Sequence, residues 1–175
     1  MLTALNEFKR QMAKQMSGPS MFQMLQELKS YPKAPVLVVK TFAALFVTLK
    51  VQKVAGGFRK HLGPKWNQFP QDEQKLQALW TYVRSCIQLS SRHPDNLIRT
   101  MTQDSKVHGD MQALDPETKI RVNAGEALIG GVLKEDLEKS SKAAGILHDW
   151  ITVAIKLVRI QEEVYEEAEK ERTDN

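Results

Sequence analysis

From Ala143 onward, small, apolar or uncharged residues return at Leu147, Trp150, Ala154, Leu157, Gln161, Val164 and Ala168, in alternating steps of four and three. This is a heptad seam, the pattern with which one helix packs on another along a narrow stripe. Between Leu137 and Arg172 there is no proline, and no glycine follows Gly145, so the run reads as a single long helix that begins beyond Leu133. Its seam has to be covered, and that limits the fold more than any other stretch. Ile146, Ile151, Val153, Ile155, Val158 and Ile160 widen the apolar stripe in the first half, as in a helix seated in a globular core. The second half is polar outside the seam and acidic, with Glu162, Glu163, Glu166, Glu167, Glu169 and Glu171. The helix is expected to begin as domain and end as stalk.

That acidic end conceals a basic body. The net charge is +4, yet without residues 161–175 the chain holds 23 Lys and Arg against 14 Asp and Glu, and residues 1–110 hold 16 against 7. A basic body implies an acidic partner surface: nucleic acid, anionic lipid or an acidic protein polymer. No apolar run approaches the roughly 20 residues of a membrane span, so no membrane role is expected. The first sixteen residues are broken by Glu7, Lys9, Arg10 and Lys14 and do not form a signal peptide. With 175 residues, 42% of them apolar, the chain suits one domain with an extension. Its one cysteine, Cys86, excludes an internal disulfide and fits a reducing compartment. It reads as a small buried residue on a helix.

Leu2, Leu5, Phe8, Met12 and Met16 predict a short amphipathic helix that carries Lys9, Arg10 and Lys14. Its basic flank makes it the natural antiparallel partner for the acidic C-terminal helix. Ser17-Gly18-Pro19-Ser20 interrupts it, and a second helix, Met21 to Tyr31, stops at Pro32-Lys33-Ala34-Pro35 because proline disfavours helical geometry in the residue before it. Val36 to Leu49 is rich in β-branched residues, but it is long for a strand and holds no turn signal, so it reads as a buried helix. Gly56, Gly57, Gly63, Pro64 and Pro70 forbid a long helix between Val51 and Gln74. There Phe58, Trp66 and Phe69 alternate with Lys53, Arg59, Lys60, His61 and Lys65. Aromatics among basic residues suit base stacking; a surface excursion whose aromatics pack back onto the body is the preferred reading. Further helices are expected over Lys75 to Leu89, Pro94 to Met101 and from Asp115-Pro116-Glu117 to Gly130-Gly131. The result is an all-α chain, a small helical bundle head on an antiparallel two-helix coiled-coil stalk. Residues 1–17 form the outgoing stalk helix, 18–150 the head and 151–175 the returning helix.

Catalytic chemistry finds no constellation. His61, His93, His108 and His148 lie on separate segments without metal-ligand spacing and read as surface residues. Gly56-Gly57-Phe58 is not a phosphate loop, and Asp72-Glu73 and Glu135-Asp136 sit where acids favour a helix dipole. Neither an enzyme nor a cofactor or metal is expected.

Glu27-Leu28-Lys29-Ser30-Tyr31-Pro32-Lys33-Ala34-Pro35, in a basic helical head whose termini leave together, resembles the microtubule-binding domain at the tip of the dynein heavy-chain stalk. That family often shows an acid, an aliphatic residue, a basic residue and Ser before a Pro-Pro turn. Ser141-Lys142-Ala143-Ala144-Gly145 with Leu147 and Trp150 is similar to the family's small-residue run that leads into the returning strand of the stalk. Trp80 and the stretch Asp110 to Ile129 fall between them in the family's order, so the resemblance covers roughly residues 20 to 165. Ala34 replaces one proline of the usual pair, and the break at Gly18-Pro19 is not a family feature. Residues 51–74 exceed the usual link and resemble the inserted flap of some axonemal dyneins.

The resemblance implies a non-catalytic piece of a much longer motor protein, since 175 residues have no room for a motor ring. It implies binding to the tubulin of microtubules, attachment to the rest of a dynein heavy chain through the stalk, and a cytoskeletal location in a ciliary or flagellar axoneme, with cytoplasm as the alternative. Carried over, the microtubule-binding residues are Lys29 and Lys33, Arg84 near Trp80, and Lys139 and Lys142, with Arg59, Lys60 and Lys65 as flap contacts. Affinity would follow the register of a weak seam containing Ala154, Gln161 and Ala168. Two rival readings are a basic helical nucleic-acid-binding module, which lacks a groove-reading helix, and a protein–protein adaptor whose C-terminal helix pairs with a partner.

Overall fold

The computed structural model describes residues 2–16, 18–48, 58, 60–63, 68–94, 96–103 and 116–174. Eight named helices run through them: α1 (Leu2–Met16), α2 (Pro19–Ser30), α3 (Val36–Thr48), α4 (Glu73–Cys86), α5 (Leu97–Gln103), α6 (Pro116–Ile129), α7 (Lys134–Ser140) and α8 (Lys142–Asp174). The only ladder contact among the described residues is an isolated bridge between Gln88 and Asn96. The fold is all-α.

Its centre is α3, which packs against α4, α6, α7 and α8. Every residue from Thr41 to Thr48 is buried, which a helix tolerates only if its polar side chains are satisfied locally. Thr41 and Thr48 donate their hydroxyls to the carbonyls of Leu37 and Ala44, at 2.8 and 2.7 Å, so β-branched residues that suit a strand cost little inside this helix. Phe42 stands 5.9 Å from Trp80 and 6.4 Å from Phe46, and Phe46 stacks 6.0 Å from Phe58. Phe58 is 1% exposed. Phe69 also packs against the core, beneath the Lys40 ammonium. These two aromatics of the excursion therefore pack back onto the body, Phe58 fully and Phe69 in part. Trp66, Arg59 and Lys65, residues 49–57, residues 104–114 and the expected Asp115 cap lie outside the described residues.

Two expectations change. The helix expected to run on from beyond Leu133 is broken at Ser141, which is extended (φ −162°, ψ 119°) and uses its hydroxyl to accept the Ala144 N–H at 3.1 Å. A serine cap thus separates α7 from α8 where the hydrophobic period runs on undisturbed. The seam is covered as far as Gln161: Ala143, Leu147, Trp150, Ala154, Leu157 and Gln161 are all buried, Val164 is half-buried and Ala168 is exposed.

The second concerns how far along that seam its expected partner reaches. α1 does pack on α8, but Phe8, Gln11, Met12 and Gln15 line a groove with Lys142, Ile146 and Asp149 at the opening of α8. Glu166, Glu167 and Ala168 are exposed. The body instead holds α8 farther along through α6, where Arg159 reaches Glu126 and Asn123 and Lys119 meets Glu162 at 3.5 Å. Residues 151–162 are therefore part of the packed body.

Candidate protein-binding face

The end of α2 is built by the proline that follows it. Tyr31, before Pro32, is driven out of helical geometry (φ −73°, ψ 129°), which leaves the last carbonyls of α2 without helical donors. One stripe of α4 supplies them. Trp80 Nε1 donates to the Tyr31 carbonyl at 3.0 Å and Arg84 Nε to the Lys29 carbonyl at 2.9 Å. Gln77 Nε2 donates to the Pro32 carbonyl. These residues stand three or four apart and share one helix face. In return the Lys29 ammonium donates to the Ile87 carbonyl at 2.6 Å, just past the end of α4. Asp72 fixes the start of α4 by accepting the N–H groups of Gln74 and Lys75.

Lys29 and Arg84, far apart in sequence, are thus interlocked, both half-buried, each with a polar head on a backbone carbonyl. Lys33 lies beyond the same turn, 75% exposed, and reaches Glu73 at 3.9 Å. On the other flank, Met24, Glu27, Leu28 and Tyr31 of α2 line a shallow groove whose far wall is Ser140, Ser141, Lys142 and Ala143. Lys142 is exposed at the first position of α8, whose first turn holds no acid. Lys139, 79% exposed on the last turn of α7, pairs with Asp136 at 3.6 Å within its own helix. Lys29, Lys33, Arg84 and Lys142 therefore stand around the end of α2, two as parts of its frame and two as exposed charges, while Lys139 lies on the last turn of α7 outside the lining of the groove.

Lys60 belongs to a different cleft. It is exposed beside His61, Phe69, Asp72 and Lys75 at the opening of α4. His61 is half-buried with its ring 5.5 Å from Tyr82, and its pKa is lowered by that burial first and by the Lys60 charge second. His148 is half-buried too, its Nε2 within 2.9 Å of the Val132 carbonyl. Histidines expected on the surface are thus packing residues. Cys86 is half-buried at the end of α4.

Glu27, Tyr31 and Ser141, which belong to the quoted motifs but carried no expected role, line the groove together with Ser140, which the sequence did not single out. Tyr31 donates its hydroxyl to Glu27 Oε1 at 2.6 Å, and this bond is the main reason its phenol pKa is raised. Their one legible signal is position: Glu27 and Tyr31 stand four apart at a helix end before a proline.

Among the described residues no His, Cys, Asp and Glu group is arranged to hold a metal, and no helix is long and apolar enough to cross a membrane. The face presents positive charge around a groove, an arrangement suited to an acidic surface. In comparisons with known proteins the chain matches no family model, no curated protein and no solved structure.

Proposed function

We propose that this chain binds microtubules as the head of a dynein-type stalk, receiving an acidic tubulin surface at the end of α2, with affinity that follows how α1 seats on α8. One observation carries this reading: three separate segments bring Lys29, Lys33, Arg84 and Lys142 around a single helix end. Lys142 adds to it. A lysine on the first turn of a helix opposes the dipole, so its place there does nothing for α8 and suits an anionic partner.

Exposed lysine–carboxylate contacts contribute roughly 0 to 1 kcal/mol each and are screened by salt. Several together steer association more than they hold it. The test is co-sedimentation with stabilised microtubules over a salt series, with duplex and single-stranded DNA as competitors. Lys33→Ala, Lys139→Ala and Lys142→Ala together are expected to weaken pelleting about tenfold, at roughly 0.5 kcal/mol each. Lys29 and Arg84 are kept intact because they also hold the frame. Pelleting that is absent in the unaltered chain, or abolished by DNA, overturns the proposal; the second result would favour a nucleic-acid module.

A further inference from the structure

The joint between α7 and α8 is one extended residue, Ser141, and a joint that short sets no angle by itself. Side chains set it. Lys134 Nζ lies 2.5 Å from Asp149 Oδ2 and 3.6 Å from Glu138 Oε1, so two carboxylates converge on one ammonium. Lys134 is 40% and Asp149 27% exposed, less open to water than an ordinary surface pair. On an unbroken helix these two residues would stand about 22 Å apart; the break at Ser141 folds them together. Beneath them the helices nearly touch, since a Cβ on Gly145 would come within 2.8 Å of Glu138 Cγ. Leu137 is fully buried on the same side.

This pair lines one of two grooves that meet at Lys142. On one side Phe8, Met12 and Gln15 of α1 border Lys134, Glu138 and Asp149. On the other the last turn of α7 and Lys142 face Glu27 and Tyr31 of α2. Lys142 lines both.

We infer that the Lys134–Asp149 ion pair is a positioning device: it fixes α7 on α8 and so sets the groove between α2 and the start of α8, while α1 rests against the pair. As a determinant of affinity it rests on the microtubule-binding reading; as a determinant of groove geometry it does not. A shift of α1 that loosens the pair frees α7 to swing about Ser141 and moves Lys139 and Lys142 away from the end of α2.

The test has two readouts in the whole chain with Cys86→Ser. Spin labels on cysteines placed at Gln26 and Glu135, both exposed, report the separation of α2 and α7. Microtubule pelleting reports binding. Lys134→Met and Asp149→Asn are each expected to broaden the label separation and weaken pelleting several-fold. The double variant should be no worse than the weaker single, because the two act as one unit, and Lys134→Arg should restore both readouts. A label separation unchanged in Lys134→Met and in Asp149→Asn overturns the inference, as does a double variant whose losses simply add. If the unaltered chain does not pellet but the separations respond as described, the functional reading fails and the positioning role stands.

Discussion

A single side chain in this protein is often asked for two things at once. Lys29 and Arg84 carry charge toward the proposed interface and hold carbonyls in the frame, whereas Lys33, Lys139 and Lys142 are exposed charges. Substitution of the first pair therefore mixes folding with binding. His61 shows the same coupling through pH. Burial and the neighbouring Lys60 lower its pKa from the ordinary 6.5, so protonation is resisted in the folded chain and not in the unfolded one. Between the two values the unfolded chain binds more protons, and stability falls as pH drops below 6.5. Lys60 and Lys75 line the cleft against that proton, and Asp72 is the acid there. Urea unfolding at pH 7.5 and 5.5 is expected to show a larger loss for the unaltered chain than for His61→Gln. Equal losses would mean that His61 titrates alike in both states. The histidine pattern did not reveal burial: a neighbour such as Tyr82 comes from another helix.

Helices here are fixed where two of them come closest. At the crossing of α3 and α6, a Cβ on Gly125 would meet Thr48 Oγ1 at 2.0 Å, and that hydroxyl cannot turn aside without leaving the Ala44 carbonyl. Gly125→Ala gains up to about 1 kcal/mol of helix propensity but is expected to lose about 1–3 kcal/mol to overpacking, a net fall in chemical denaturation. Thr48→Ala in the same chain removes the clashing oxygen and should recover part of the loss, because the two sites share one contact. No recovery would place the cost elsewhere. At this scale the sequence was read well where a helix is continuous. The run from Val36 shows no turn, and its buried threonines carry their own acceptors in the preceding turn, so helix was the right reading of a strand-like composition. It was read poorly at Ser141. The hydrophobic period continues across that residue, and only a hydroxyl cap marks the end of one helix and the start of the next.

Across the whole molecule, the seam announced a covered helix and the basic flank of α1 named a helix that does pack on it, but neither gave the register. Which residues of α1 meet which turns of α8 depends on where the chain folds back after Ser17, and a heptad pattern is equally satisfied several turns apart. The seat beside Ile146 and Asp149 comes with packing of α1 on α5, which no local pattern carries. The acid-rich end was legible as polar but not as uncovered, and its exposure allows a direct comparison of the two chain ends. Met12 and Met16 on α1 are 5% and 0% exposed. Loss of a buried methionine side chain costs about 2–5 kcal/mol, and one kcal/mol moves the midpoint of a domain this size by about 2–4 °C. Removal of residues 1–18 is therefore expected to lower the melting midpoint by more than about 10 °C or to abolish cooperative melting. Removal of residues 166–175 takes away side chains that are mostly exposed and is expected to leave the midpoint within about 2 °C. Calorimetry of the two shortened chains decides it. If the second deletion destabilises as much as the first, the end of α8 is covered after all, by its own N-terminal helix or by a second copy of the chain. Dependence of the midpoint on protein concentration would separate those two.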